Sequence, residues 1–302
     1  MTDILIRSLC FIAIIVLGYS LRRIGIFKAE DFHVLSTIVL KITLPAAVVS
    51  SMNGRELDVS LLSICLLGFG FGALYVLAGF LFNLKADKDR RAFEMLNLAG
   101  YNIGCFALPF LQSFLGPPGV TTAILLDTGN SIVCLGGAAG VAGVVKAGKG
   151  GSLKQILTRA LSSVPFITYI IMTALCLLHL QLPAPVITFA STISNANVFL
   201  SMLMIGVGFQ LSAEASQLKA VARALLIRFG LAVVFAAVCY FLMPFAQEYR
   251  KALVILAFSP ISGAAPAFTA DLGADVGMAS AINSLYILIS IPAMLTALLL
   301  IP

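Results

Sequence analysis

Long apolar runs alternate with short polar or Gly/Pro-rich interruptions along the whole chain. The hydrocarbon core of a bilayer is about 30 Å thick and requires about 20 apolar residues per helix. Strands of a membrane barrel would alternate polar and apolar residues, whereas these runs are apolar on all faces. The pattern therefore predicts an all-α polytopic membrane protein with ten transmembrane helices. Predicted helices 1 to 10 lie near residues 4–21, 32–51, 60–82, 95–114, 120–145, 161–180, 186–211, 223–244, 251–270 and 277–300.

The longest polar interruption, residues 146–160, separates two halves of five predicted helices each, residues 1–145 and 161–302. Homologous halves with an odd number of spans must insert in opposite orientations, which is the inverted-topology repeat of many secondary transporters. Superposing the halves pairs Pro109 of predicted helix 4 with Pro266 of predicted helix 9. We therefore predict two inverted five-helix repeats joined by a cytoplasmic connecting loop.

Predicted helices 4 and 9 each combine glycine, proline and small polar residues in the middle of a span. Proline removes a backbone donor and clashes with the preceding turn, so each helix is predicted to divide into two half-helices. Unwound backbone at mid-bilayer is tolerated only where it is buried or lines a cavity, and the positive ends of half-helices attract anionic groups. The alternative is that these residues only kink the helices. The matched positions of the two interruptions favour a substrate site near the midplane.

Three residues of predicted helices 2 and 5 are candidates for ion coupling, because polar and ionisable groups inside a bilayer are costly and often functional. Lys41 lies near the middle of predicted helix 2, and Asp127 lies in predicted helix 5. Asn130 shares a helix face with Asp127 at the i, i+3 spacing. One hypothesis is that Lys41 neutralises Asp127 or a substrate carboxylate, while protonation of Asp127 couples transport to a proton gradient. The alternatives are a static ion pair or a lysine that snorkels to the surface.

Other ionisable residues of the predicted spans lie nearer the helix ends. Arg7 and Arg228 are therefore predicted to snorkel to the membrane surface. His33 and His179 fall at span ends, where a solvated interfacial position is predicted.

Composition and charge agree with a membrane protein. Hydrophobic residues make up 60% of the chain and charged residues 11%, whereas a soluble domain has about 25% charged residues. Most of the 19 Lys and Arg residues lie in the loops after predicted helices 1, 3, 5 and 7. Because cytoplasmic loops retain positive charge, both termini are predicted to be non-cytoplasmic in the cell inner (plasma) membrane. This bias accounts for the net charge of +6 without a nucleic-acid partner.

Several classes of protein are disfavoured by what the sequence lacks. The six Cys and two His residues form no metal-binding or disulfide pattern. No nucleotide-binding loop, His-Glu-x-x-His motif or Ser/His/Asp set is present, so we predict no cofactor, no metal and no enzymatic activity. A channel would show rings of like charge or a repeated filter. The class of protein that agrees with these absences is a transporter driven by an ion gradient or by the gradient of its substrate.

The chain resembles the auxin efflux carrier family, a group within the bile/arsenite/riboflavin transporter superfamily that includes auxin exporters and bacterial dicarboxylate permeases. The resemblance spans nearly the whole chain and rests on the order and spacing of short motifs. They are Gly18-Tyr19, Thr43-Leu44-Pro45-Ala46, Asn102-Ile103-Gly104, Leu108-Pro109, Leu203 to Gly206, and Ser259-Pro260 running to Pro266.

This resemblance implies a scaffold of helices 1, 2, 6 and 7 and a moving domain of helices 3 to 5 and 8 to 10. Broken helices 4 and 9 would then cross at the substrate site. Asn102 looks like the family asparagine that contacts the substrate carboxylate, and Pro109 and Pro266 look like the crossover prolines. One departure is that residues 60–82 contain no acidic residue, whereas plant members have one in helix 3 that is proposed to handle protons.

Together these observations predict a secondary active transporter that moves a small organic anion, a mono- or dicarboxylate, by alternating access. The coupling ion, proton or sodium, is left open, as is a homodimeric state. The alternative is a sodium-coupled bile-acid-type symporter of the same crossed-helix architecture. The predicted substrate site comprises Asn102, Gly104, Pro109, Ser259, Pro260, Ser262, Pro266 and Pro45, and the predicted ion-coupling residues are Asp127, Asn130 and Lys41.

Overall fold

The computed structural model describes residues 2–148, 152–211 and 214–301, and within these ranges it contains helices and no strand. The first eight α-helices are α1 (Thr2–Arg23), α2 (Asp31–Ile38), α3 (Leu44–Met52), α4 (Ser63–Leu81), α5 (Lys88–Leu98), α6 (Leu108–Phe114), α7 (Gly116–Ile132) and α8 (Ala138–Ala147). The remaining α-helices are α9 (Leu153–Leu161), α10 (Val164–Leu177), α11 (Ala184–Ser194), α12 (Asn197–Gly208), α13 (Leu218–Phe241), α14 (Gln247–Ala257), α15 (Ala265–Asp271) and α16 (Val276–Leu300).

Six helical segments of the described chain are long and apolar enough to cross a membrane. A seventh candidate is the pair α9 and α10, which is bent by 77°. The prediction of an all-α, multi-pass membrane protein is therefore confirmed, whereas the ten-helix inverted repeat stays a prediction. The six segments are Asp31–Met52, Val59–Leu81, Gly116–Ala147, Ala184–Gly208, Leu218–Phe241 and Val276–Leu300.

Predicted helices 4 and 9 are both interrupted in the structure. Residues 99–102 are not helical, and a π-helical turn, Ile103–Ala107, leads from them into α6. In predicted helix 9, residues 258–264 separate α14 from α15. We call residues 99–102 the first break and residues 258–264 the second break.

Three of the predicted site prolines, Pro45, Pro109 and Pro266, lie at the starts of helices, whereas Pro260 lies within the second break. Pro45 begins α3 after a π-helical turn, Val39–Thr43, and Pro109 begins α6 after the turn described above. Proline has no N–H to return to the preceding turn and its ring crowds a carbonyl there, so a wider turn accommodates it. Pro266 lies in the first turn of α15, where an N–H would have no helical partner.

Helices α7 and α4 pack closely because each carries a glycine that faces the backbone of the other helix. A Cβ atom on Gly129 would lie 1.8 Å from the carbonyl oxygen of Cys65, and one on Gly68 would lie 2.0 Å from that of Leu126. No larger residue fits at either position. Such close contact through small residues is typical of membrane helices, and it sets the position of the polar residues that α7 carries.

Packed aromatic and polar side chains join α6 to its neighbours. The ring of Phe11 on α1 lies 5.9 Å from that of Phe110 and 5.8 Å from that of Phe114, both on α6. Nearby, the Nε2 of Gln112 donates to the Oγ of Ser194 on α11 at 3.3 Å. These contacts join α6 to α1 and α11.

Candidate functional site

A cavity of about 740 Å³ extends from the two breaks toward the opposite end of the bundle. Its wall includes parts of α2, α7, α10, α12 and α16, and its outer part reaches the ends of α1, α12 and α16 at Arg22, Gln210 and Val276. These positions adjoin the loops after predicted helices 1, 7 and 9. Six of the predicted site residues line this cavity: Asn102, Gly104, Asp127, Asn130, Ser262 and Pro266.

The other five predicted site residues do not line the cavity. Pro109 and Ser259 are buried, and Pro260 lies behind the site, where its carbonyl oxygen accepts the N–H of Asn102 at 2.8 Å. Pro45 lies half-buried at the start of α3. Lys41 is exposed.

The hypothesis that Lys41 neutralises Asp127 does not agree with this arrangement. Both residues are described, and no ion pair joins them. The Lys41 side chain lies on the exposed surface of its helix, whereas Asp127 is 8% exposed. The exposed position agrees with the alternative prediction of a snorkelling lysine.

Asp127 is instead held by neutral hydrogen-bond donors. The Nδ2 of Asn130 donates to its Oδ1 at 2.8 Å, and the hydroxyl of Tyr169 donates to its Oδ2 at 2.9 Å. Gly104 lies beside the carboxylate, because a Cβ atom there would be 3.4 Å from Oδ2 of Asp127. Tyr169, on α10, was not predicted from the sequence. The only sequence feature that could have indicated it is that it is the single tyrosine of a largely apolar helix.

Asn130 connects this carboxylate to the first break. Its Oδ1 accepts the N–H of Tyr101 and its Nδ2 donates to the carbonyl oxygen of the same residue, both at 2.9 Å. The i, i+3 spacing predicts that Asn130 and Asp127 share a helix face, and their hydrogen bond agrees with it. One amide side chain thus binds the unwound backbone and the carboxylate at once.

Asn102 has a side chain that is free to bind a ligand. It is half-buried in the first break, lines the cavity, and its amide group makes no hydrogen bond with any described residue. A Cβ atom on Gly263 of the second break would lie 3.6 Å from its Nδ2. The amide of Asn102 therefore faces the second break at a position where Gly263 has no side chain.

The cavity wall contains few acidic or basic side chains. In the described chain they are Asp127, Arg22, Glu30 and His33. The guanidinium of Arg22 donates to the carbonyl oxygens of Val207 at 2.7 Å and Phe209 at 3.3 Å. Glu30 and His33 are exposed at the outer part of the cavity. The deep part therefore carries one negative charge and no positively charged side chain.

Arg228 is not at the membrane surface, so the prediction that it snorkels is wrong. It is completely buried in the middle of α13 and contacts the first break. The error has a simple source, because predicted helix 8 begins at residue 223 whereas α13 begins at Leu218. Arg7, in contrast, is exposed and donates to the carbonyl oxygen of Ser113 at 3.2 Å, and His179 is exposed as predicted.

Metal binding has no obvious site in the described residues, where no group of three or more His, Cys, Asp or Glu side chains is placed to hold an ion. The candidate site is instead built from amides, one carboxylate and unwound backbone. These groups suit an organic solute with polar ends.

Comparison with known proteins identifies transporters. A family model described as membrane transport protein matches residues 4–138. An uncharacterized transporter of Methanocaldococcus jannaschii is 26% identical over 221 residues, which cover 68% of this chain and 68% of that protein. The matched family segment includes the first break, Asp127 and Asn130. Residues 4–138 thus match a family of membrane transport proteins, and both comparisons point to a transporter and not to an enzyme.

Proposed function

We propose that this protein is a secondary active transporter that moves a small organic anion, a mono- or dicarboxylate, by alternating access. The observation that carries this proposal is the unpaired amide of Asn102, which faces the cavity where the two breaks meet. An amide N–H held by unwound backbone is a suitable donor for a carboxylate. In this proposal, residues 1–145 and 161–302 are the two inverted five-helix repeats.

The shape of the cavity supports alternating access. It extends to the loops that are predicted to be cytoplasmic, whereas Phe11, Phe110 and Phe114 pack against one another outside its lining. Under the scaffold and moving domain that the resemblance implies, α1 belongs to the scaffold and α6 to the moving domain. The aromatic contact between them is then the closure that must open for the substrate to leave on the other side. The described conformation corresponds to an inward-open state.

The charge of the cavity supports coupling to a cation. A carboxylate bound near Asn102 lies close to Asp127, because Gly104, two residues further along, lies beside the Asp127 side chain, where an added Cβ atom would be 3.4 Å from Oδ2. At an effective dielectric constant of about 20, two like unit charges 4 Å apart repel by about 4 kcal/mol. Protonation of Asp127 removes this repulsion, so we propose that one proton accompanies each carboxylate. Lys41 has no part in this coupling.

A sodium ion is the alternative to the proton. The carboxylate of Asp127 and the carbonyl oxygen of Tyr101 both accept hydrogen bonds from the Nδ2 of Asn130, and oxygen ligands of this kind bind sodium in transporters with unwound helices. This arrangement is what a sodium-coupled, bile-acid-type symporter would require. Sodium dependence of binding separates the two proposals.

The test is the thermal stability of the purified protein with acetate, benzoate, succinate and citrate, each at two pH values and with or without sodium. A ligand at about 100 times its dissociation constant adds about 2.7 kcal/mol to the stability of the folded state. We expect one of these carboxylates to stabilise the wild type but not Asn102→Ala. Asn195→Ala is the matched control, because Asn195 is an exposed amide at the end of α11.

Asp127→Asn tests the coupling within the same measurement. Because asparagine carries no charge, we expect carboxylate binding to this variant to be independent of pH, whereas binding to the wild type strengthens at the lower pH. Stabilisation that requires sodium at both pH values would favour the symporter. If no carboxylate stabilises the wild type, or if Asn102→Ala retains full stabilisation, the organic-anion proposal is wrong.

A further inference from the structure

The guanidinium of Arg228 is buried without a carboxylate partner. It is 0% exposed on α13, and among the described residues no Asp or Glu oxygen lies within ion-pair distance of it. A buried charge in the membrane interior is costly unless neighbouring groups compensate it. The neighbours that do so should therefore reveal why an arginine occupies this position.

Two of these neighbours are carbonyl oxygens of the first break and of the residue before it. The Nη1 of Arg228 donates to the carbonyl oxygen of Leu98 at 2.7 Å, and its Nη2 donates to that of Gly100 at 2.8 Å. In an uninterrupted helix these two oxygens would accept the N–H groups four residues later, which belong to Asn102 and Gly104.

Neither of these N–H groups reaches the two oxygens. Asn102 donates its N–H to the carbonyl oxygen of Pro260 in the second break at 2.8 Å, and Gly104 lies in the π-helical turn after the first break, where no backbone hydrogen bond joins it to Gly100. Unwinding therefore leaves two carbonyl oxygens without their helical donors in a region where water cannot replace them. Arg228 supplies both missing donors from one side chain.

Three tyrosine rings complete the surroundings of the guanidinium. Its central carbon lies 3.6 Å from the ring centroid of Tyr75 on α4, 4.5 Å from that of Tyr101 and 5.6 Å from that of Tyr286 on α16. Aromatic faces attract a cation most strongly when it is desolvated. A planar fork can stack on a ring and bind two acceptors at once, whereas the ammonium of lysine cannot.

We propose that Arg228 is a positioning residue of the substrate site, which holds the first break unwound so that Asn102 faces the cavity. Arg228 itself does not line the cavity and acts from behind the segment through Leu98 and Gly100. The consequence for the substrate rests on the proposed function, whereas the effect on the backbone of the first break does not.

The experiment is hydrogen–deuterium exchange of the purified protein, comparing the wild type with Arg228→Gln and Arg228→Lys. Glutamine keeps an amide donor but loses the positive charge and the planar pair of donors of the guanidinium. Lysine keeps the charge and loses the planar pair of donors. Arg223→Gln is the control, because Arg223 lies on the same helix, is exposed, and donates to the carbonyl oxygen of Phe82.

We expect exchange of the amides of residues 101–104 to rise at least tenfold in both Arg228 variants, with exchange in α13 changed by less than twofold. Lysine should not rescue the segment, since it cannot bind both oxygens. A purely structural tie between helices would instead raise exchange evenly in α4, α13 and α16. Either an even rise or unchanged exchange at residues 101–104 overturns the proposal.

A second measurement separates this proposal from the proposed function. The carboxylate panel described above is repeated with whichever Arg228 variant folds. We expect the apparent affinity for a carboxylate, measured from the thermal stabilisation, to fall at least tenfold. If no carboxylate binds the wild type but residues 101–104 respond as expected, then the positioning role stands and the organic-anion proposal fails. If a carboxylate binds the variant as well as the wild type, the positioning role is wrong.

Discussion

The two breaks occupy matching positions in the sequence but are held in different ways. Side chains from other helices hold the first break, through Arg228 on α13 and Asn130 on α7. The second break is held largely by its own turns, in which Ser259 donates to Leu256 at 2.9 Å and Ala265 donates to Ser262 at 3.1 Å. Only one side chain from another described helix adds a hydrogen bond, from Asn283 on α16 to the carbonyl oxygen of Ser262 at 3.2 Å.

Segment length explains this difference. The second break is the longer one, so its backbone can fold back and satisfy its own polar groups. The first break is too short for such turns, and its N–H and carbonyl groups need partners from outside. We therefore expect the first break to be the more rigid of the two and substitutions there to have the larger effects.

The largest expected effect is that of Gly100→Ala in the first break. Gly100 has a φ of +71°, and a Cβ atom there would lie 2.3 Å from the Sγ of Cys134. Left-handed backbone and overpacking together should cost about 3 kcal/mol. We expect a clear fall in the melting temperature of the purified protein in detergent. An unchanged melting temperature would mean that the first break is not rigid.

A smaller effect is expected for the two amides, compared as Asn130→Ala and Asn283→Ala. The first leaves the N–H and carbonyl of Tyr101 and one oxygen of Asp127 without this partner, which should cost about 2 kcal/mol. The second removes one hydrogen bond, and such bonds in membrane helices average about 0.6 kcal/mol. Both are measured by thermal unfolding. Equal losses of stability would contradict the unequal support of the two breaks.

The smallest effect on stability is expected for Gly263→Ala in the second break. Gly263 is exposed to the cavity, and the nearest atom to an added Cβ is the Nδ2 of Asn102 at 3.6 Å. The change in stability should stay below about 0.5 kcal/mol. Because the methyl group enters the space in front of Asn102, affinity for a carboxylate should fall about threefold, a difference under 1 kcal/mol. A large loss of stability would show that the second break is as rigid as the first.

The sequence predicts a substantial part of the candidate site. Gly104, Ser262 and Pro266 lie in matched interruptions of two apolar runs, the resemblance adds Asn102 in the same interruption as Gly104, and the structure brings all four to one cavity. Such interruptions can be read from sequence because unwound backbone in a bilayer must be enclosed by protein.

The sequence did not predict the positions and contacts of three polar side chains, those of Lys41, Tyr169 and Arg228. Lys41 and Arg228 both interrupt apolar runs, yet one is exposed and the other is completely buried. Successive residues of a helix point about 100° apart, so a small error in where a helix starts or how it is rotated changes the direction of a side chain. Helices that are apolar on all faces give no periodic signal to fix that rotation.

The sequence by itself determined the class of this protein, its helical character and the places where two helices are interrupted. The physical reason is that a bilayer imposes the length of each apolar run and requires backbone polar groups to be bonded internally. The tertiary structure alone decided which polar side chains meet. It placed Asp127 with Tyr169 and not with Lys41, and it placed Arg228 behind the first break. These contacts depend on how the helices are rotated and packed against one another, and the sequence of a uniformly apolar helix does not indicate its rotation.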